Sequence, residues 1–200
     1  VLFTEPTFLF LFLPILLGLY FLTRVHAGYG NVLLLVASVL FYAKGGGGFT
    51  WLMLGSIAFN YWMAIAVDRA RATSEARARM VLAAAIAANL VVLGWFKYAT
   101  FFAQNVDAVL KTFGGTGFAV PKVLLPIGIS FYTFHAISYV VDVYRRQATA
   151  QKSPVHAALY LLLFPQLIAG PIIRYKEIAD QLARRVVSLE DFAYGVRRFI

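Results

Sequence analysis

The sequence predicts an all-α fold: a polytopic transmembrane helix bundle with a broken or re-entrant helix near residues 153–173. Three observations predict it. Hydrophobic residues make up 61% of the 200 and charged residues 14%, against about 25% charged in a soluble domain. Six windows free of Asp, Glu, Lys and Arg occur, at 6–23, 27–43, 45–67, 80–96, 123–141 and 153–173; a bilayer core takes roughly 20 apolar residues to cross. The basic residues gather in the gaps between windows, as they do at a cytoplasmic membrane face. A soluble reading would require six buried helices lacking the polar face that a surface helix needs.

The first five windows are read as crossings. The third opens on four glycines, 45–48, so its helix is expected to start near Phe49. Its loop to the fourth window, 68–79, holds Arg69, Arg71, Arg77 and Arg79; the loop after the fifth holds Arg145, Arg146 and Lys152. Placing both inside puts the N-terminus, the turn at 44–48 and the connection 104–122 outside. The fourth helix is expected to continue through Phe102, with Lys97 reaching outward along its own stem. Trp51, Trp95 and Tyr98 stand near window ends, as an aromatic belt does.

Net charge is +9, but its distribution is that of membrane loops, so no nucleic-acid partner is predicted. Absence of cysteine excludes disulfides and thiolate metal sites, and His26, His135 and His156 include no i, i+4 pair that would suggest a metal. His135, Ser138 and Asp142 share a helical face, yet i to i+7 is about 10 Å of rise, too far for a catalytic triad; Asp142 is expected to pair with Arg145 or Arg146. Asn60 and Asn89 lie at similar depth from the shared loop and are expected to face the bundle and bond each other.

The sixth window differs. Pro165 and Pro171 each remove a helical donor and clash with the preceding turn, and Arg174, Lys176, Arg184 and Arg185 follow. A full crossing would put these cations outside, so a re-entrant or broken helix is expected. Irregular backbone at membrane depth survives where protein or water satisfies it; the segment should line a cavity or tunnel. The stretch 175–185 reads as an interfacial amphipathic helix with Ile178 and Leu182 on one face. Ser188-Leu-Glu-Asp191 reads as a capping pattern opening a further helix.

Two runs carry a family resemblance: LPIGISFYTFHAISYVVDVYR at 125–145 and FPQLIAGPIIRY at 164–175. They resemble signatures of the membrane-bound O-acyltransferase family. FLFLFLP at 8–14 and FYAK at 41–44 resemble its bacterial branch, which includes the alginate-modifying membrane subunit and the D-alanyl transfer protein of teichoic acid synthesis. His135 stands where that branch is expected to have Gln. The family's histidine lies in a Trp-His-Gly motif, which does not occur here; it is expected beyond Ile200. Residues 1–200 are thus expected to form an incomplete membrane O-acyltransferase domain lacking its C-terminal half, and no catalytic residue is carried over.

The resemblance implies an O-acyltransferase passing acyl groups, namely acetyl, across the membrane to modify an exported or cell-surface polysaccharide such as alginate. It implies acetyl-CoA or another acyl donor as substrate with no bound cofactor. Membrane lipids, the acyl donor and a periplasmic polysaccharide-modifying acetyltransferase are the implied partners, and a bacterial inner membrane the location. Pro165, Gln166, Gly170, Pro171, Arg174, Tyr175 and His135 are the candidates for the tunnel or substrate path, and Arg174 and Lys176 could attract an anionic donor. The rival readings are a transporter or flippase, whose broken helix would bind substrate at the midplane, and a non-catalytic membrane scaffold.

Overall fold

The computed structural model describes residues 4–22, 27–120, 122–169, 173–183 and 188–199, and all regular structure among them is helical. A π-helical turn at Phe8–Phe12 leads into α1, Leu13–Leu22. Pro14 cannot donate into an i→i−4 ladder, and the wider turn precedes it. Next come α2, Ala27–Gly46; α3, Phe49–Thr73; α4, Glu75–Thr112; and α5, Ile129–Tyr144. The chain closes with α6, Pro154–Leu162; α7, Phe164–Ala169; α8, Tyr175–Ala183; and α9, Leu189–Phe199.

The start of α3 falls at Phe49, as the glycines predict; Gly47 takes φ +52° and its carbonyl accepts from Thr50 Oγ1 at 2.7 Å. Extended Ser74 both closes α3 and opens α4. The predicted cap at Ser188 forms reciprocally: Ser188 Oγ accepts from the Asp191 N–H, and the Ser188 N–H donates to Asp191 Oδ2.

α4 departs from expectation. Residues 104–112, read as connection, continue the helix. An Asp107–Lys111 ion pair at 2.7 Å supports the added turns one helical turn apart. The stop comes at Gly114, φ +79°, where the Gly115 N–H reaches back to the Leu110 carbonyl. At 38 residues, roughly 57 Å, α4 is longer than a 30 Å hydrocarbon core.

The chain is a membrane protein. Among the described residues, three helices, in α2, α3 and α4, are long and apolar enough to cross a bilayer, whereas Phe8–Leu22 is shorter. Three of the five windows read as crossings thus form helices of full spanning length. α5 has 16 residues because Pro126 and left-handed Gly128 keep 122–128 out of the helix. It still joins both ends of the bundle. The Tyr42 hydroxyl, late in α2, donates to the Ile127 carbonyl at 2.9 Å. At the other end Arg71 donates to the carbonyls of Val143 and Tyr144, and the Tyr144 hydroxyl donates to Glu75 at 2.7 Å. The two basic loops thus lie together, as their charge predicts.

That hydrogen bond, with the charges of Arg71, Arg79 and Arg146, holds the exposed Glu75 carboxyl below its ordinary value of 4.5. A depressed folded pKa stabilises above the unfolded value and loses that contribution as pH falls through the folded one. The melting difference between wild type and Glu75→Gln is expected to be full at neutral pH and to vanish on acidification below 4.5; a difference independent of pH would refute it.

The core lies where α3, α4 and α5 meet. Ala64, Ala78 and Ala85 are almost fully buried, and such small residues let membrane helices approach closely. Across this contact Asn60 and Asn89 exchange amide hydrogen bonds of 3.1 and 2.8 Å, as predicted. A double-mutant cycle to leucine should give a coupling of about 0.6 kcal/mol, the usual value inside membranes; zero coupling would mean the pair contributes nothing.

Candidate functional site

α6 begins at the end of the bundle that carries the basic loops, with Ser153 as its cap and Pro154 in the first turn, where a missing N–H costs nothing. It breaks at Leu163, and α7 starts at Phe164. The break comes before Pro165, which occupies the first turn of the new helix; the Gln166 and Leu167 N–H groups both turn back to the Leu163 carbonyl. The chain then returns. The Ile173 carbonyl accepts from the Tyr160 hydroxyl at 3.0 Å, and Tyr175 accepts at its hydroxyl from Gln151 Nε2 at 2.8 Å. Since Gln151 precedes α6, the segment enters and leaves at the same end, which is the re-entrant path expected for it.

Inside this loop Gln166 Nε2 lies 3.1 Å from His135 Nε2, both residues buried. An amide nitrogen donates, so the imidazole accepts at Nε2 and carries its proton on Nδ1. Tyr132, His135, Tyr139 and Asp142, at i, i+3, i+7 and i+10, line one buried face of α5. Below His135, Tyr139, Tyr160 and Tyr175 form a closed ring trio with centroids 4.9, 5.1 and 6.1 Å apart. The Tyr139 hydroxyl accepts from the Gln151 N–H at 2.9 Å. Tyr132's hydroxyl and Asp142 Oδ2 are buried with no hydrogen-bond partner among the described residues.

α7 is held against α5 by a close backbone approach. Gly128 takes φ +72°, and a Cβ there would stand 3.2 Å from the Leu167 carbonyl oxygen. α8 closes the loop from below. Ile178 and Leu182 share a face, as predicted, but that face packs on the core and not on lipid; the Asn31 amide donates to the Leu182 carbonyl at 2.9 Å and also meets His156 Nε2 at 2.9 Å.

Of the predicted path residues, His135 and Gln166 meet each other, and Tyr175 is buried in the ring trio. Pro165 and Arg174 are exposed, as is Lys176. Gly170 and Pro171, like His26, Arg184 and Arg185, lie outside the described residues. Asp142 is a correction: it forms no ion pair with Arg145 or Arg146. It faces inward at 3% exposure, while Arg146 adopts φ +58° and turns the chain away from the helix axis. Tyr139, Tyr160 and Gln151 went unnoticed in the sequence. Tyr139, one turn past His135 on the same face, carried the available signal.

This fold and this buried seam define a class: a polytopic helical membrane protein whose broken segment re-enters the bundle and brings side-chain polarity to its interior. The chain is 41% identical over 198 residues to the probable alginate O-acetylase AlgI of Pseudomonas aeruginosa, covering 99% of this chain and 38% of that protein. It is 42% identical to the AlgI protein of Azotobacter vinelandii, covering 99% and 39%. To the peptidoglycan O-acetyltransferase of Helicobacter pylori it is 31% identical over 207 aligned positions, covering 90% and 38%. The chain is thus similar to the alginate O-acetylases over nearly its whole length. It spans about two fifths of the length of these curated relatives. No family model matches the chain. No solved structure matches it either.

Proposed function

We propose that these residues are part of a membrane O-acyltransferase domain that acetylates an exported polysaccharide such as alginate. The donor is acetyl-CoA or another acyl thioester on the cytoplasmic side of a bacterial inner membrane. The acetyl group passes outward to a periplasmic polysaccharide-modifying acetyltransferase. The thioester C–S bond breaks, a C–O bond forms, and the acceptor's hydroxyl proton is taken by a base and returned to the leaving thiolate. That base is assigned to a histidine outside these residues.

The observation that carries this reading is the His135–Gln166 hydrogen bond inside the re-entrant loop, read together with the relatives' printed activities. A paired imidazole and carboxamide keep a polar wall at depth without a net charge, which suits passage of an acyl group through hydrocarbon surroundings. Exposed Arg174 and Lys176 follow at the mouth and would attract an anionic donor.

In a strain lacking its own copy, the whole gene product should restore polymer O-acetylation. Gln166→Leu, which strands His135, is expected to lower polymer acetyl content at least about fivefold at equal protein abundance, removal of a polar partner costing about 1–3 kcal/mol. His135→Gln should retain most of it. Combined Arg174→Ala and Lys176→Ala should raise the donor KM about tenfold or more and leave kcat within about twofold, each cation near a surface contributing about 1 kcal/mol. An unchanged polymer after loss of the gene refutes the activity; an unchanged KM refutes only the donor-attraction role.

A further inference from the structure

The first helix and α2 lie side by side and leave an apolar groove of about 500 Å³ between them. Leu11, Ile15 and Leu19 form one rim, Val36 and Leu40 the other, and all five are exposed. Ala37, buried, keeps the floor shallow on the α2 side. Lys44 alone among the lining residues is charged, and it is exposed at one end, away from the basic loops. From Leu33 to Lys44 the groove follows about 17 Å of helix, near half of a 30 Å hydrocarbon core.

We propose that this groove binds one acyl chain of an anionic glycerophospholipid from the surrounding bilayer, with the lipid phosphate at Lys44. The shape selects the occupant. About 500 Å³ spread along about 17 Å of helix is a mean section of roughly 30 Å², enough for a single methylene chain and well short of a further helix about 10–12 Å across with its side chains. Polarity selects its end: an apolar channel with a lone cation at its mouth complements an acyl tail carrying a phosphate ester. Location supplies the ligand, because the groove faces outward from a membrane-embedded bundle. Its floor also leads inward. The Phe41 and Phe164 rings lie 5.2 Å apart and Phe12 and Phe164 5.6 Å, and Phe164 opens α7 with its N–H donated to Ser38 Oγ at 3.3 Å. The bound chain therefore leans on the ring stack that anchors the re-entrant segment.

The whole gene product in nanodiscs containing phosphatidylglycerol with a photoactivatable group on one acyl chain tests this. Crosslinks are expected in residues 8–19 and 33–44. Lys44→Ala should lower them about fivefold, the factor given by about 1 kcal/mol per basic residue at an anionic surface. Val36→Trp, a rim change that leaves the floor intact, should lower them by a similar or larger factor. Phosphatidylcholine carrying the same group should label weakly and without dependence on Lys44. Labelling that maps elsewhere, that ignores both substitutions, or that is equal for the neutral lipid overturns the proposal. So does a cysteine crosslink from Leu40→Cys to another segment of the same polypeptide, which would put protein in the groove.

Discussion

Replacing Tyr160 by alanine is expected to cost about 3–5 kcal/mol, the range for removing a large buried aromatic side chain. Its ring closes the trio with Tyr139 and Tyr175 and lies 6.0 Å from His135, so truncation leaves a cavity where α5, α6 and α8 converge. Its hydroxyl is the tie to the Ile173 carbonyl on the returning strand of the loop. Tyr160→Phe separates the two contributions: it keeps the ring and removes the tie, and should cost about 1 kcal/mol, as a single hydrogen bond does. Unfolding of the purified protein in mixed micelles measures both. Equal losses would assign the stability to the hydroxyl and contradict the packing argument.

Gly128→Val is expected to cost about 3 kcal/mol through two effects acting at one atom. A left-handed residue with a side chain is strained by about 1–2 kcal/mol, and φ here is +72°. The added carbon also meets the Leu167 carbonyl at 3.2 Å, and overpacking costs typically 1–3 kcal/mol. Because that carbonyl belongs to α7, the loss should extend beyond stability: α7 must move from α5, and Gln166 with it. Gly128→Ala should show the strain with a smaller displacement. A valine variant as stable as wild type would mean that α7 is free to shift.

The architecture was legible where it follows from composition and period. Uninterrupted apolar windows predicted α2, α3 and α4, the four glycines the start of α3, and the basic loops their common end. The Asn60–Asn89 pair was legible from equal depth along two helices sharing a loop. Helix length past the apolar window was not: 104–112 holds polar residues that a window count scores as connection, yet the Asp107–Lys111 pair and the glycine stop at 114 make it helix. The start of α5 was set too early because apolar content at 123–128 says nothing of the backbone conformation that Pro126 and Gly128 enforce.

At the site, the sequence by itself determined that a proline-containing apolar segment would be broken or re-entrant, and that His135 and Gln166 were polar residues at depth; that it re-enters was decided by the structure. Only the tertiary structure decided that these two meet. They are 31 residues apart, and a hydrogen bond across that separation depends on the return angle of α7, which the Gly128–Leu167 approach sets. The same holds for Asp142. Local spacing offered Arg145 or Arg146, but burial of Asp142 at 3% exposure and the left-handed turn at Arg146 overrode an i+3 or i+4 ion pair. Periodicity assigns a residue to a face; the neighbour that face meets is chosen by close packing between distant elements.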